Sequence, residues 1–284
     1  MAEGPIAVTG STGRLGGRVA GLLAARGVSQ RLIVRNAARA PQLAKSEVYV
    51  ASYQDRPALE RAFAGVKTLL FVSGAESAER LQEHLTVIDA AAAAGVENFV
   101  YTSLVGAAAE ATFTLARDHG ATEQHLAKRG FAATLLRNNL YADFFPLMLG
   151  ADDVIRGPAG EGRVAAVARE DIAEVAALVL LDPGVHRGKA YELTGPIALT
   201  LSEVAANLSK RFGRNIQFHN ETLDEAYASR SQSGVEKWQV DAWVSTYMAI
   251  LAGEFAHVTD DVAKLTGHPA LTLDDVLAAA AEKA

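Results

Sequence analysis

Three glycines, Gly10, Gly13 and Gly16, sit in the stretch IAVTGSTGRLGGRVAGLLAARG at residues 6–27. Their spacing, G-x-x-G-x-x-G, falls between a short apolar run and an amphipathic one. In that setting the first glycine permits a tight turn and the second lets a pyrophosphate approach the backbone. The third lets helix and strand pack closely. Free N–H groups at the helix N-terminus then face the phosphates, and the helix dipole adds to the attraction. A strand–turn–helix with a purely architectural role is the plain alternative. The position of the motif on the first strand favours a dinucleotide.

The ribose end of such a ligand is read about 20 residues further on, where an NAD site carries an Asp or Glu for the 2′-hydroxyl. The corresponding stretch here, VRNAARA, contains no acid. Arg35 falls at the strand end and Arg39 a turn later. A carboxylate repels a 2′-phosphate and a guanidinium clasps it, so the pattern favours NADP(H) over NAD(H). Two solvated surface arginines are the alternative.

The usual acid for hydride transfer to a ketone, a Tyr with Lys four residues on, is absent. None of Tyr49, Tyr53, Tyr101, Tyr141, Tyr191, Tyr227 and Tyr247 has a lysine at that spacing. No G-x-S-x-G, H-E-x-x-H or G-x-x-x-x-G-K-[ST] motif occurs either, which leaves hydrolase, zincin and P-loop chemistry without support. The chain has no cysteine, so disulfides, thiolate metal sites and a Cys nucleophile are excluded. The acid pairs Asp152-Asp153 and Asp260-Asp261 read as turn or helix-start charges, and no metal site is expected.

The elements that must position these residues follow from periodicity. Strands are expected at 5–9, 31–35, 47–51, 67–72, 97–102 and 132–137. Helical stretches lie between them. Leu15, Val19, Leu22 and Leu23 share one face before Gly27, as do Leu81, Leu85, Ile88 and Ala92 before Gly95, each glycine at a C-cap position. This alternation specifies an α/β, doubly wound parallel sheet. Beyond Arg137 the pattern loosens into an aromatic and then glycine-rich segment. REDIAEVAALVLLDPG reads as a helix with Asp171 near its N-cap and Asp182-Pro183-Gly184 as its stop, and YELTG as a strand. TLSEVAANLSKRFGR reads as a helix capped by Ser202, and 220–284 is mostly helical. The expected division is a dinucleotide-binding domain at 1–140, with 164–195 packing back on it. Residues 141–163 and 196–284 form a smaller substrate-binding lobe, with no flexible linker between the two.

Half of the 284 residues are hydrophobic and the net charge is −6, which supports a sizeable core and argues against a nucleic-acid surface. No apolar run approaches the roughly 20 residues of a membrane span, and no signal peptide is visible, so a soluble cytoplasmic protein is expected. A homodimer is compatible with the chain, although no segment marks an interface.

Taken together, VTGSTGRLGG, LIVRNAARA, YTSLVGA, DHGATEQHLAKRGFAATLLRNNLYADF and GKAYELTG resemble the NmrA-like group of atypical short-chain dehydrogenases, and within it the bacterial NADPH:quinone reductase type. The likeness continues to DVAKLTGHP near the end of the chain. It implies a Rossmann fold, NADPH as cofactor and a small aromatic, quinone-type substrate. It further implies that Gly10, Ser11, Thr12, Gly13, Arg14 and Leu15 cradle the pyrophosphate and that Arg35 holds the 2′-phosphate. Val72, Ser73 and Gly74 would flank the adenosine. Asn138 would lie near the nicotinamide, with Tyr141 and Phe144 as an aromatic wall for a flat acceptor. Ser103 is expected either at the nicotinamide or as a turn or N-cap residue. His119, which with Glu123 occupies the helix of the missing Tyr–Lys pair, is expected either to donate to a quinone oxygen or to be solvated at a helix start. Glu123 reads as structural. YADFFPLM reads either as pocket lining or as core.

The missing acid suits a quinone. Its reduction product is a phenolate-type base with a pKa of about 10, by analogy with Tyr, which water can protonate; an alkoxide needs a positioned acid. Two further readings stay open on the same residues: a tailoring reductase for a polycyclic aromatic quinone, and a dinucleotide-binding redox sensor without turnover.

Overall fold

The structure, a computed structural model, describes residues 4–281, so the last three residues of the expected helical tail lie outside the described residues. In chain order the elements begin β1 Ile6–Thr9, α1 Arg14–Ala25, β2 Gln30–Val34, β3 Ser46–Val50, α2 Arg56–Phe63, β4 Thr68–Phe71 and α3 Arg80–Ala93. They continue β5 Asn98–Leu104, α4 Thr114–Lys128, β6 Thr134–Asn138, β7 Val154–Gly157, β8 Arg163–Val164, α5 Arg169–Leu181, α6 Pro183–His186 and β9 Ala190–Leu193. The remainder is β10 Leu199–Thr200, α7 Leu201–Phe212, β11 Gln217–Asn220, α8 Leu223–Ser231, α9 Lys237–Leu251, α10 Asp261–Thr266 and α11 Leu273–Ala281. All six strands expected in the first half form, each within two residues of its expected bounds.

A seven-stranded sheet runs in the order β3-β2-β1-β4-β5-β6-β9, with parallel pairings from β3 through β5. Register is set by the central strand: Ile6 sits opposite Gln30 and Thr68, and Val8 opposite Leu32 and Leu70. Strand β4, TLLF, is buried at every residue, as a strand covered on both faces must be. The order reverses between β1 and β4. Their carboxyl ends are therefore the topological switch point, where this architecture opens a crevice.

The chain divides into two compact units. The first comprises residues up to Ser103, Asp118–Arg137 and Arg169–Tyr191. On one side of its sheet, Leu59, Phe63, Phe71, Val87, Ile88, Phe99 and Tyr101 form a continuous core. Elsewhere in the unit α1 packs on α5. Helix α5 is buried on nearly all sides, and its Ala173, Ala176 and Ala177 permit close packing. The second unit comprises Leu104–Arg117, Asn138–Ala168 and the chain from Glu192. Its core gathers Phe113, Phe145, Ile155, Val204, Leu208, Ile250 and Phe255. The glycines at 157 and 162 have a packing cause: a Cβ on either would stand 2.2 Å from Tyr247 or from the Ile250 carbonyl.

Two local expectations are corrected. Helix α7 is capped by Thr200, not Ser202: Thr200 Oγ1 accepts the Glu203 N–H at 3.1 Å, and Glu203 Oε2 accepts the Thr200 N–H at 2.8 Å. That reciprocal pair needs a spacing of three, which Ser202 lacks. On α3 the buried face is Arg80, His84, Val87, Ile88 and Ala91, while Leu81 and Leu85 are half-buried and Ala92 is exposed. Two polar side chains occupy positions that periodicity assigns to apolar ones.

Helix α1 begins directly against the end of β1. A Cβ at Gly16 would lie 2.4 Å from the Gly10 carbonyl oxygen, whereas a Cβ at Gly21 on the same helix meets nothing within 4 Å. Gly21→Ala is expected to raise unfolding stability by about 0.5–1 kcal/mol through helix propensity. Gly16→Ala is expected to lower it by more than about 2 kcal/mol through overpacking. Urea unfolding of the two variants checks both signs.

Candidate functional site

The turn between β1 and α1 is shaped to receive an anion. Gly10 lies in the left-handed region at φ +61°, and its carbonyl accepts the Gly13 N–H at 2.8 Å. Gly13 is the N-cap of α1 and supplies no capping side chain, and the first turn carries no acid. The helix N-terminus thus keeps its uncapped N–H groups and unneutralised dipole, with Arg14 exposed at the first position. Ser11 is buried, yet its Oγ has no hydrogen-bond partner within the protein. A buried hydroxyl without a partner costs free energy, so this atom fits a phosphate oxygen as its acceptor. Thr12 is half-buried. Leu15 is buried in the core and can offer a ligand only its backbone.

Arg35 directly follows β2 and is exposed. Next to it Asn36 Oδ1 accepts the Ala38 N–H at 2.9 Å and caps a short 3-10 turn, Ala37–Arg39. Both guanidinium-bearing residues of this stretch therefore sit on one small turn with no carboxylate in it.

At the end of β4, the Val72 N–H donates to Thr9 Oγ1 at 2.9 Å and the Ser73 N–H to Thr102 Oγ1 at 2.9 Å. Tyr53 closes this arrangement. Its hydroxyl lies 2.8 Å from both Thr9 Oγ1 and the Val72 carbonyl, and burial pushes its phenol well above the usual range. A Cβ on Gly10 would stand 3.7 Å from the Tyr53 hydroxyl and 3.4 Å from the Val72 side chain, so the two loops and Tyr53 meet at one place. Sequence reasoning missed Tyr53. The available signal was an aromatic hydroxyl just past the third expected strand.

Ser103 lies within β5 and is not an N-cap. Its hydroxyl donates to Glu123 Oε1 at 2.6 Å, and Arg137 holds the same carboxylate in a two-point grip, Nε to Oε1 at 3.0 Å and a terminal nitrogen to Oε2 at 2.7 Å. The Ser103 proton is thus committed, leaving its oxygen as an acceptor.

His119 is placed as neither expected reading has it. The ring is buried, with Nδ1 2.7 Å from the Tyr101 hydroxyl and Nε2 2.8 Å from an Arg80 guanidinium nitrogen. Burial first, and the charge of Arg80 second, hold its pKa well below the usual imidazole range. A neutral ring with both nitrogens engaged is not poised to protonate a substrate, which corrects the proton-donor expectation. Periodicity could not show this, because the partners come from α3 and β5.

In the second unit two adjacent asparagines are buried and differ in role. Asn139 is fully engaged, donating to the Phe255 carbonyl at 3.0 Å and accepting the Leu140 N–H at 2.7 Å. Asn138 places Nδ2 3.5 Å from the Tyr141 hydroxyl, and its Oδ1 has no partner within the protein. Phe145 is core, whereas Phe144 and Leu147 are exposed, so the core reading does not hold for the whole aromatic stretch. Among the described residues no group of three or more His, Asp or Glu is placed to hold a metal ion, and no helix is long and apolar enough to cross a membrane.

The NmrA-like family model matches residues 2–230. The chain is 38% identical to quinone oxidoreductase 2 of Escherichia coli over 275 residues, 94% of this chain and 96% of that protein. The crystal structure of that enzyme complexed with NADPH matches with a TM-score of 0.87, covering 97% of this chain and 99% of the other. An NAD(P)H azoreductase of Xenophilus azovorans is 33% identical over 94% of each chain. The triphenylmethane reductase of Citrobacter sp., complexed with NADP(H), matches with a TM-score of 0.85 at 34% identity, over 97% of this chain and 99% of that one.

Two buried neutral rings tie stability to pH. The pKa of His84 is lowered by burial and Arg80 to about 2, and that of His119 is lowered by the same causes. The unfolded chain therefore binds protons that the folded chain does not. Their contribution is whole above the ordinary value of 6.5 and is lost as pH falls below it. Urea unfolding is expected to show roughly 2–3 kcal/mol less stability at about pH 5.5 than at about pH 7.5. Equal stability at the two pH values would contradict buried, uncharged rings.

Proposed function

The chain belongs to the NmrA-like family, and on that premise we propose that it is an NADPH-dependent oxidoreductase whose acceptor is a quinone-type aromatic molecule. The observation that carries the cofactor is the cradle at β1–α1: an uncapped helix N-terminus beside a buried Ser11 hydroxyl without a protein partner. NADPH, when bound, supplies the hydride. In this reading Gly10, Ser11, Thr12, Gly13, Arg14 and Leu15 hold the pyrophosphate, and the closeness of Gly16 to the Gly10 carbonyl sets the helix against it. Arg35 takes the 2′-phosphate, and Val72, Ser73 and Gly74 flank the adenosine. Ser103, held by Glu123 and Arg137, presents an acceptor oxygen on the nicotinamide side. Within the second unit, Asn138 offers an unpartnered Oδ1 and Tyr141 and Phe144 offer aromatic rings, which suits a flat acceptor with polar edges.

The acceptor class is supported by the acids that are engaged elsewhere. In α4 the two polar residues that replace the Tyr–Lys pair are both committed, His119 to Arg80 and Tyr101 and Glu123 to Arg137 and Ser103. Hydride delivery to one carbonyl oxygen of a quinone moves an electron pair through the ring to the other and leaves an aromatic hydroquinone mono-anion; water protonates that phenolate oxygen, so the step needs no positioned acid. Two relatives above are named for reduction of quinones and of azo compounds, both conjugated acceptors.

The pure protein, NADPH or NADH, and a panel of benzoquinones and naphthoquinones test this by the near-ultraviolet absorbance of the reduced cofactor. Rapid oxidation of NADPH, slower oxidation of NADH and no reduction of aliphatic ketones are expected. Arg35→Ala should raise the KM for NADPH roughly 10- to 100-fold and leave that for NADH unchanged, as for loss of a charge-assisted hydrogen bond. Tight NADPH binding with no oxidation by any quinone would replace this reading with that of a redox sensor.

A further inference from the structure

Helix α3 buries an arginine and a histidine one turn apart, Arg80 and His84, where an amphipathic helix places apolar side chains. Burying a guanidinium is costly unless it is fully paired. Here each of its nitrogens is engaged: Nε with the Gly74 carbonyl at 3.1 Å, one terminal nitrogen with Asp118 Oδ2 at 3.2 Å, the other with His119 Nε2 at 2.8 Å. His84 Nε2 accepts the Gly74 N–H at 2.8 Å. That fixes its tautomer: Nδ1 carries the proton and lies 2.9 Å from Thr122 Oγ1, which donates to the Asp118 carbonyl at 2.6 Å. By the same logic His119, accepting from Arg80 at Nε2, donates from Nδ1 to the Tyr101 hydroxyl.

Both polar groups of Gly74 are therefore gripped by neighbouring turns of one helix. Glycine is what permits the grip, since a Cβ there would come within 3.3 Å of His84 Nε2. The Val72 and Ser73 N–H groups are held by Thr9 and Thr102, so three consecutive peptides are anchored from β1, β5 and α3 in turn. None of these N–H groups is left to reorganise around a ligand.

We infer that Arg80 and His84 are positioning residues that set NADPH affinity by clamping the Gly74 peptide, with His119, Asp118 and Thr122 holding the clamp in place. The inference rests on the reading of residues 72–74 as part of the cofactor site. It gives His119 a role: the ring steers Arg80 and does not meet the acceptor. A loop that must be ordered at the moment of binding pays conformational entropy that an anchored one has already lost, which on the scale of one residue is roughly tenfold in affinity.

The test compares His84→Leu, which removes the acceptor for the Gly74 N–H, with His84→Gln, whose Oε1 can restore it. NADPH binding by fluorescence titration, steady-state kinetics with a quinone, and thermal unfolding are measured on each full-length protein. His84→Leu is expected to raise the NADPH dissociation constant and KM roughly tenfold, with kcat at saturating NADPH within about twofold of the parent. His84→Gln is expected to recover most of the affinity. A role confined to stability would lower Tm and leave both constants unchanged. Where His84→Leu does not fold, Arg80→Lys serves: it keeps the charge beside Asp118, cannot grip Gly74 and His119 together, and should weaken NADPH in the same sense. Parental NADPH affinity in a folded His84→Leu or Arg80→Lys protein, or no recovery with His84→Gln, overturns the clamp alone. Failure of the parent protein to bind NADPH overturns the functional reading as well.

Discussion

The approach of α1 to the carbonyl of Gly10 is the constraint on which the rest of the first unit depends. Only a residue without a side chain at position 16 lets the helix start so near the end of β1, and only a left-handed residue at position 10 turns the chain into it. Once that approach is made, the helix N-terminus opens at the switch point of the sheet. The packing of α1 on the alanine-rich α5 keeps the helix there. The proposed anion site is thus a by-product of backbone packing, and in that proposal its selectivity rests on Arg35 and the acid-free stretch 34–40 that carries it.

A second principle governs the strand ends. Where β4 leaves the core, the backbone polar groups of residues 72–74 are satisfied by side chains of neighbouring elements: Thr9, Tyr53, Thr102, His84 and Arg80. Buried side-chain atoms without a protein partner include Gln30 Oε1, Ser77 Oγ and Thr114 Oγ1, and two more, Ser11 Oγ and Asn138 Oδ1, belong to the residues proposed as ligand contacts. The same economy separates Asn138 from Asn139, identical in type and adjacent in sequence, since only Asn139 is used up by the fold.

What the sequence made legible follows from these facts. Parallel strands buried on both faces read as continuous apolar runs, and glycines that relieve a steric clash keep a fixed spacing, so the sheet, the β1–α1 turn and Arg35 could be placed from residue types alone. The failures cluster where polarity is buried. Arg80 and His84 break the apolar period of α3, and the expected face therefore drifted toward Leu81 and Leu85. His119 and Ser103 cannot be read singly, because their meaning lies in partners 39 and 20 residues away. The Thr200–Glu203 capping box is legible by its spacing of three, which Ser202 does not share. Tyr53 carried no motif, because its function is to join two strand ends that only the fold brings together.

In the proposed reaction a hydride leaves bound NADPH for a quinone at a site without a dedicated acid. A single-turnover reaction, with enzyme in excess over NADPH deuterated at the transferred position and a benzoquinone as acceptor, tests it most directly. One hydroquinone per NADPH oxidised and a step slowed by the deuterium are expected, with a rate that does not follow the titration of any protein group between about pH 6 and pH 8. An enzyme–NADPH complex that stays reduced in the presence of the quinone would contradict it.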